Sequence, residues 1–249
     1  MDVAGKKVIV TGGVRGLGRA LVDRLVAEGA LVTVFDLDAA GLDALADAHT
    51  GIGAVRCDIS DYEQVAAAVA AFHEANGPAH VLVNNAGILY SEPLVRIAGG
   101  TLAHHDPAMW RKVMAANLDS VFFMTACVVQ KMVATRTKGV IVNISSVAAG
   151  GNAGQSAYSA AKAGVNALTA TWAKELALMG IRVAAVAPGF TSTESTRDAV
   201  SEAVLAETVK RVPLRRLGKP EEIADGILAV IRNDFFTGKV FELDGGLTV

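Results

Sequence analysis

Short runs of aliphatic and β-branched residues alternate along the chain with longer stretches in which apolar residues recur every three or four positions. The first two runs span residues 7–10 and 31–35. Between them, Leu17, Leu21 and Leu25 fall on one face of a predicted helix that Gly29 ends. The chain therefore begins with a predicted strand, a helix and a second strand.

The same alternation continues to the end of the chain. Five more strands are predicted at residues 54–59, 80–83, 140–144, 182–187 and 239–243. The other predicted helices span residues 39–49, 62–75, 110–132, 156–179, 196–211 and 220–232. Asp61 is expected to cap the second of these, and residues 93–107 are predicted to form a loop. This order predicts an α/β fold: a doubly wound parallel sheet of about seven strands with helices on both faces, in one domain over residues 1–249.

Composition narrows the range of partners. The chain has 249 residues, and Lys and Arg (23) nearly balance Asp and Glu (25) without a basic run, so no nucleic acid is expected to bind. Cys57 and Cys127 are too few for a disulfide framework, the histidines lack zinc-ligand spacing, and no metal is predicted. His104 and His105 are interpreted as a solvated loop pair. No membrane span or signal peptide is recognisable, so the protein is expected to be soluble and cytoplasmic and not to bind a membrane.

The first strand ends in a glycine-rich turn, and a helix follows at once. Gly12, Gly16 and Gly18 lie in this turn, together with Arg15 and Leu17. Glycines let the backbone approach a pyrophosphate, and the following helix offers free N–H groups and the positive end of its dipole. Strand, turn and helix in this order predict a dinucleotide site of the Rossmann type.

Acidic residues end the next two strands. Asp36, 18 residues after Gly18, can accept both hydroxyls of an adenosine ribose and would repel a 2′-phosphate, which favours NAD over NADP. Arg15 has the opposite tendency, because an arginine in the glycine turn can bind that phosphate. Asp58, followed by Ile59, stands where it can meet the adenine amino group.

Tyr158 and Lys162 are four residues apart, so they share one face of the predicted helix. Moving the pKa of a tyrosine from ~10 to about 7 requires roughly 4 kcal/mol, and a neighbouring ammonium favours the phenolate. Such a tyrosine could exchange a proton with an alcohol or a carbonyl oxygen. Asn117 lies within another predicted helix, where a buried amide needs partners.

The motifs in this order resemble the single-domain short-chain dehydrogenase/reductase family over nearly the whole chain. The matching positions, in chain order, are Thr11-Gly12-x-x-x-Gly16-x-Gly18, Asn84-Asn85-Ala86-Gly87, Asn117, Asn143-x-x-Ser146, Tyr158-x-x-x-Lys162 and Pro188-Gly189. The resemblance implies an NAD(H)-dependent oxidoreductase that interconverts a secondary alcohol and a ketone.

The resemblance also implies roles for single residues. Tyr158 would be the acid/base, and Lys162 would bind the nicotinamide ribose and lower the pKa of Tyr158. A serine at the end of the fifth strand would orient the substrate oxygen. Ser145 stands thirteen positions before Tyr158, which is the usual spacing in the family, whereas Ser146 fits the register set by Asn143. Successive side chains of a strand face opposite ways, and we choose Ser146.

Asn117 would hold a water that links Lys162 to solvent. Asn85, Ala86 and Gly87 would line the adenosine ribose, and the backbone after Pro188-Gly189 with the Thr193 hydroxyl would hold the carboxamide. The whole implied cofactor set is Gly12, Arg15, Gly16, Leu17, Gly18, Asp36, Asp58, Ile59, Asn85, Ala86, Gly87, Tyr158, Lys162, Pro188, Gly189, Thr191 and Thr193. Residues 191–211 are expected to form a substrate lid.

Family members are commonly tetramers through the helices that correspond here to residues 107–132 and 156–179, so a homotetramer is expected. The substrate stays open, with a β-hydroxyacyl thioester as one candidate. An NADPH-dependent β-ketoacyl-carrier-protein reductase is the main alternative. A non-catalytic dinucleotide sensor and a lyase or epimerase on the same scaffold are further alternatives.

Overall fold

A parallel sheet of seven strands forms the centre of the computed structural model, which describes residues 1–194, 196 and 202–247. Its strands are β1 (Lys7–Thr11), β2 (Leu31–Asp36), β3 (Gly53–Arg56), β4 (Val81–Asn84), β7 (Gly139–Ile144), β8 (Ile181–Pro188) and β9 (Val240–Leu243). Two further strands, β5 (Val95–Ala98) and β6 (Thr101–His104), form a separate antiparallel hairpin.

The helices fill the connections between these strands. They are α1 (Gly16–Ala27), α2 (Ala39–Ala48), α3 (Tyr62–Asn76), α4 (Pro107–Met114), α5 (Ser120–Ala134), α6 (Ser156–Leu176), α7 (Glu202–Arg211) and α8 (Pro220–Arg232). A wide π-turn, Ala115–Asp119, joins α4 to α5, and short 3₁₀ turns occupy Val147–Gly150 and Ala177–Met179. Of the expected lid at 191–211, residues 195 and 197–201 lie outside the described residues.

The strand order β3-β2-β1-β4-β7-β8-β9 makes the sheet doubly wound. From β1 the chain moves outward through β2 and β3, then returns to β4 on the other side of β1. All six pairings are parallel, so the loops after β1 and β4 leave the same edge of the sheet and diverge. A ligand crevice is expected at such a switch point.

Both faces of the sheet are covered, because alternate residues of each strand point to opposite sides. Val8 and Val10 join the core under α1 and α8, whereas Ile9 joins the core under α3 and α5. All six residues of β7 are buried. Continuous apolar strands of this kind are what a parallel sheet with two covered faces requires.

The sequence prediction of the fold class is confirmed, and most elements lie within a few residues of their predicted bounds. The cap of α3 is also confirmed, since the Asp61 carboxylate accepts the backbone N–H groups of Glu63 and Gln64. The loop predicted at residues 93–107 is wrong. Strands β5 and β6 occupy most of it, joined by Gly99 and Gly100, both with positive φ.

The expectation that no helix could span a membrane needs correction. The helical run Pro107–Ala134 is long and apolar enough by length and composition, and it was predicted as one helix over residues 110–132. Half of its most apolar window is buried inside the fold. Val121, Met124 and Val128 are among the residues it buries, so much of this apolar character serves packing against the sheet.

Candidate active site

A cavity of about 440 Å³ opens at the carboxyl edge of the sheet, at the switch point between β1 and β4. Every site residue predicted from the sequence lines this cavity. They are Gly12, Arg15, Gly16, Leu17, Gly18, Asp36, Asp58, Ile59, Asn85, Ala86, Gly87, Asn117, Ser146, Tyr158, Lys162, Pro188, Gly189, Thr191 and Thr193. The fold thus brings together side chains that are up to 181 positions apart in the chain (193 minus 12).

The glycine turn is held in place by the strand beside it. Asn85 donates from Nδ2 to the carbonyl oxygens of Thr11 (3.0 Å) and Gly12 (2.8 Å). The Thr11 hydroxyl in return accepts the N–H groups of Asn85 and Ala86 at 3.0 and 3.1 Å. These bonds fix the loop after β1 to the loop after β4, and so fix the two walls of the crevice.

The turn has no room for larger residues. A Cβ atom on Gly12, where φ is +67°, would lie 2.8 Å from Cα of Ala86. A Cβ atom on Gly18 would lie 2.0 Å from the carbonyl oxygen of Gly12. Only glycine fits at both positions, and the bare backbone at the start of α1 is the kind of cradle that a pyrophosphate needs. The residues present therefore fit a dinucleotide.

Asp36 ends β2 beside the glycine turn. Its carboxylate accepts the backbone N–H of Val14 at 3.4 Å and that of Asp38 at 3.1 Å. Arg15 lines the same end of the cavity and is exposed, so the two groups with opposite preferences for the cofactor are both present. The Asp58 carboxylate accepts bonds from the backbone and hydroxyl of Ser60, at 3.0 and 2.6 Å.

Tyr158 and Lys162 lie at the other end of the cavity, on the first turns of α6. Lys162 is 3% exposed, and its Nζ donates to the carbonyl oxygen of Ile144 at 2.7 Å. Nζ lies 5.7 Å from the centre of the Tyr158 ring. Burial lowers the pKa of Lys162 to about 8, because it disfavours the charged ammonium.

Burial acts on Tyr158 in the opposite sense. It raises the pKa of the phenol, and a hydrogen bond with Ser146 opposes that shift. The net direction is upward, so the lowered pKa expected from the pairing with Lys162 is not what the structure gives. The reason is that the phenolate would be desolvated here while the ammonium is turned toward Ile144. At neutral pH Tyr158 is a protonated phenol.

The two serines after β7 face different surroundings. The Ser146 side chain bonds to Tyr158 and also accepts the N–H of Ala148 at 3.1 Å. Ser145 is 2% exposed, and its Oγ has no hydrogen-bond partner among the described residues. Its backbone N–H instead continues the sheet, donating to Val186 at 2.8 Å.

Asn117 sits in the π-turn between α4 and α5 and is fully buried. Its Nδ2 donates to the carbonyl oxygens of Ile88 (3.0 Å) and Val113 (2.9 Å). Its Oδ1 accepts no bond from any described residue. A Cβ atom on Gly87 would lie 2.3 Å from this oxygen and 3.7 Å from the Lys162 ammonium, so Gly87 leaves the oxygen room for a further partner.

The segment after β8 closes the cavity from the other side. Gly189 donates its N–H to Leu243, and the backbone of Ser192 and Gly218 pairs at 2.8 Å. The Thr193 hydroxyl accepts the N–H of Thr196 at 3.2 Å. Its methyl group would lie 3.6 Å from a Cβ atom on Gly16. Thr193 therefore meets the glycine turn across the crevice.

Several lining residues were missed in the sequence. They include Leu37, Cys57, Asn152, Gln155 and Phe190. Leu37 and Cys57 directly neighbour predicted residues at strand ends, and Gln155 lies three positions before Tyr158, so proximity to a motif was an available signal. Burial raises the pKa of Cys57 to about 11, which keeps this thiol neutral.

Comparison with known proteins shows the family to which the chain belongs. A family model described as short chain dehydrogenase matches residues 6–203. The chain is 40% identical to the 3-oxoacyl-[acyl-carrier-protein] reductase FabG of Thermotoga maritima, over all of both chains. It is 36% identical to the (3R)-3-hydroxyacyl-CoA dehydrogenase of Canis lupus familiaris and 36% identical to an acetoacetyl-CoA reductase of Synechocystis, with 96% of this chain and 95% of each relative covered.

Among solved structures, the crystal structure of gox2181 matches with a TM-score of 0.88 and 31% identity, covering 98% of this chain and 96% of that one. The chain belongs to the short-chain dehydrogenase family. It is an oxidoreductase that uses a nicotinamide dinucleotide and acts on a CH–OH or keto group.

Proposed function

We propose that the protein interconverts a secondary alcohol and a ketone with NAD(H), on a substrate whose reacting oxygen is at C3 of an acyl thioester. The observation that carries the choice of cofactor is Asp36, whose carboxylate is held at the ribose end of the cavity by two backbone N–H groups. The acid/base chemistry is assigned to Tyr158 with Ser146, Lys162 and Asn117.

Tyr158 and Ser146 share the reacting oxygen in this proposal. In the reducing direction the protonated phenol of Tyr158 donates its proton to the carbonyl oxygen while Ser146 orients that oxygen. When bound, the dinucleotide would supply the hydride for the carbonyl carbon. Oxidation of the alcohol reverses these steps, with Tyr158 as the base.

Lys162 and Asn117 are proposed to support the tyrosine. The Lys162 side chain is a charged ammonium below a pH of about 8. It lies close enough to Tyr158 to stabilise the phenolate that forms when the tyrosine gives up its proton. Asn117 offers a buried oxygen near that ammonium, which supports a role in passing a proton toward solvent.

The choice of NAD over NADP rests on charge. A 2′-phosphate placed beside Asp36 would meet a carboxylate that already has its own backbone partners, and like charges repel. Arg15 is exposed at the same end and favours the phosphate. We assign the stronger effect to Asp36, because its position at the end of β2 is the one from which an acid meets the ribose hydroxyls.

The substrate class is proposed from the relatives. The names of the three described above place an oxygen at C3 of an acyl group, carried on acyl carrier protein in one and on CoA in the other two. The second candidate is therefore an NADPH-dependent reductase of β-ketoacyl-carrier-protein, which the name of the Thermotoga relative favours.

Nicotinamide absorbance tests both candidates directly. The protein is offered NADH and NADPH in parallel with a panel of ketones, β-ketoacyl-CoA thioesters and β-ketoacyl-carrier-protein. We expect faster turnover of the CoA thioesters with NADH, and a loss of about 10²- to 10⁴-fold in kcat in Tyr158→Phe. A preference for NADPH and the carrier-protein substrate would establish the second candidate instead. If the protein binds the cofactor but turns over none of these substrates, the result would favour the non-catalytic dinucleotide sensor.

We also propose a homotetramer in the cytoplasm. Phe122 on α5 is 49% exposed, and its ring lies 6.3 Å from that of Trp172 on α6, so the two helices expected at the interface share an accessible aromatic surface. Both Cys57 and Cys127 are free thiols, which agrees with a reducing compartment.

A further inference from the structure

Glu92 joins both ends of the β5–β6 hairpin. It follows the loop after β4, and its side chain is 8% exposed. One carboxylate oxygen accepts Nε–H of Arg96, at the start of the hairpin, at 2.9 Å. The other accepts the backbone N–H of Asp106, just after the hairpin, at 2.8 Å, and the hydroxyl of Tyr90 at 3.1 Å. One buried carboxylate thus closes the base of the hairpin.

His105 completes this cluster and is buried, so its interpretation as a solvated loop residue is wrong. Its Nδ1 lies 3.2 Å from the carbonyl oxygen of Glu92 and 3.6 Å from the Glu92 carboxylate. Its ring packs edge-on between Tyr90 and Trp110, at 5.7 and 6.4 Å. The hairpin is therefore anchored by packing as well as by hydrogen bonds.

Glu92 and its neighbour Ser91 contact the loop that enters α6. The N–H of Glu92 donates to Gly154 at 2.6 Å, and Gln155 donates from Nε2 to the hydroxyl of the neighbouring Ser91 at 3.2 Å. Gln155 also accepts Nδ2–H of Asn152 at 3.0 Å. Asn152 and Gln155 line the cavity near Ser146 and Tyr158. A change at the hairpin base reaches this wall through two hydrogen bonds.

We infer that Glu92 is a positioning residue that sets the substrate half of the cavity by locking the hairpin base to residues 152–155. The cofactor half has separate supports, since Asn85 and Thr11 hold the glycine turn and Ile144 holds Lys162. The lock does not depend on pH near neutrality, because the Asp106 N–H and Arg96 hold the pKa of Glu92 at about 2. The inference rests on the proposed function for its kinetic consequence only.

The test compares Glu92→Gln with a matched control, Asp23→Asn. In the wild type, both carboxylates accept a hydrogen bond from an arginine Nε and face a histidine. For Asp23 on α1, the arginine is Arg19 of the same helix, at 2.8 Å, and the histidine is His49, just after α2, at 2.7 Å. In Glu92→Gln one carboxylate oxygen becomes an NH₂ group, so at least one of the donors that bind the carboxylate then faces another donor. We expect the KM for substrate to rise about tenfold or more, kcat to fall by less, and the Kd for NADH to stay within about twofold. Asp23→Asn should change none of the three.

A merely structural role would reduce the fraction of active enzyme, so kcat would fall with KM unchanged; that result overturns the inference. A rise in the Kd for NADH as large as the rise in the KM for substrate would also overturn the inference. Tyr90→Phe removes one donor and keeps the carboxylate, so it should give a smaller rise in KM, and it serves as the test if Glu92→Gln does not fold. An unchanged KM in a folded Tyr90→Phe would then count against the inference.

Hydrogen exchange followed by mass spectrometry separates this inference from the proposed function. Glu92→Gln should speed exchange in residues 150–160 as well as in residues 90–106, whether or not any substrate turns over. Unchanged exchange in residues 150–160 would refute the coupling even in an active enzyme. If the wild type turns over no substrate but the exchange changes as expected, the proposed function fails and the coupling stands.

Discussion

Burial changes the acid strength of Tyr158 and Lys162 in opposite directions, and both changes have one cause. A desolvated charge is unfavourable, so the phenol holds its proton more tightly and the ammonium loses its proton more easily. The pair therefore presents a proton donor beside a cation at neutral pH. Sequence spacing placed the two side chains on one helical face, but it carried no information on desolvation.

The serines give the sharpest prediction at the residue scale. Ser146→Ala removes the hydroxyl that bonds to Tyr158, and we expect kcat to fall by about 10²-fold. Ser145→Ala removes a buried hydroxyl that has no partner in the described part of the chain, so turnover and stability should be kept or slightly improved. Steady-state kinetics and thermal unfolding of the two variants check this. The reverse pattern would assign the role to Ser145.

At the scale of elements, the apolar periodicity located each strand of the sheet, because a buried parallel strand must be apolar throughout. Helix α8 was predicted with its observed bounds, Pro220–Arg232. The hairpin was missed although its signal was present: residues 95–98 and 101–104 flank Gly99-Gly100, a typical two-residue hairpin turn. The glycines and histidines of this segment suggested a loop more strongly than its short strands suggested a sheet.

Capping of α3 is a prediction at this scale. Asp61 accepts the N–H groups of Glu63 at 3.0 Å and Gln64 at 3.2 Å, which otherwise have no partner within the helix. Asp61→Ala should lower the free energy of unfolding by about 1 kcal/mol, whereas Asp61→Asn keeps an acceptor and should cost less. Urea unfolding at fixed protein concentration measures both. Equal losses would show that the negative charge, not the acceptor, matters.

The whole molecule places its chemistry where the winding of the sheet reverses. Residues that follow β1, β2, β3, β4, β7 and β8 all reach one cavity, since parallel strands direct their carboxyl ends to one edge. The family's motifs are short and distant in sequence, and the sheet supplies the geometry that joins them. The same arrangement leaves Phe122 of α5 exposed on the outside, beside the half-buried Trp172 of α6.

Assembly is the prediction at this scale. If α5 and α6 form the interface between subunits, Phe122→Glu should convert a tetramer into smaller species, because it buries a charge without a partner. Leu31→Glu is the control, since Leu31 is similarly exposed (56%) at the start of β2 and lies away from these helices. Sedimentation velocity at micromolar concentration distinguishes the species. A wild-type monomer, or equal dissociation of both variants, would contradict the proposal.

The sequence by itself determined the order of the seven strands of the main sheet and predicted residues that the structure places around one cavity. Both follow from local regularities: the period of apolar positions, glycines that no other residue can replace, and a fixed spacing from Tyr158 to Lys162. The motif residues could therefore be identified from this one sequence.

Only the tertiary structure decided which side chains face one another. Glu92 meets the loop of Gln155 across 63 positions (155 minus 92), and the pKa of Tyr158 rises instead of falling. Each outcome depends on desolvation or on contact between distant segments. These arise when separate elements pack together, so no local pattern in the chain encodes them.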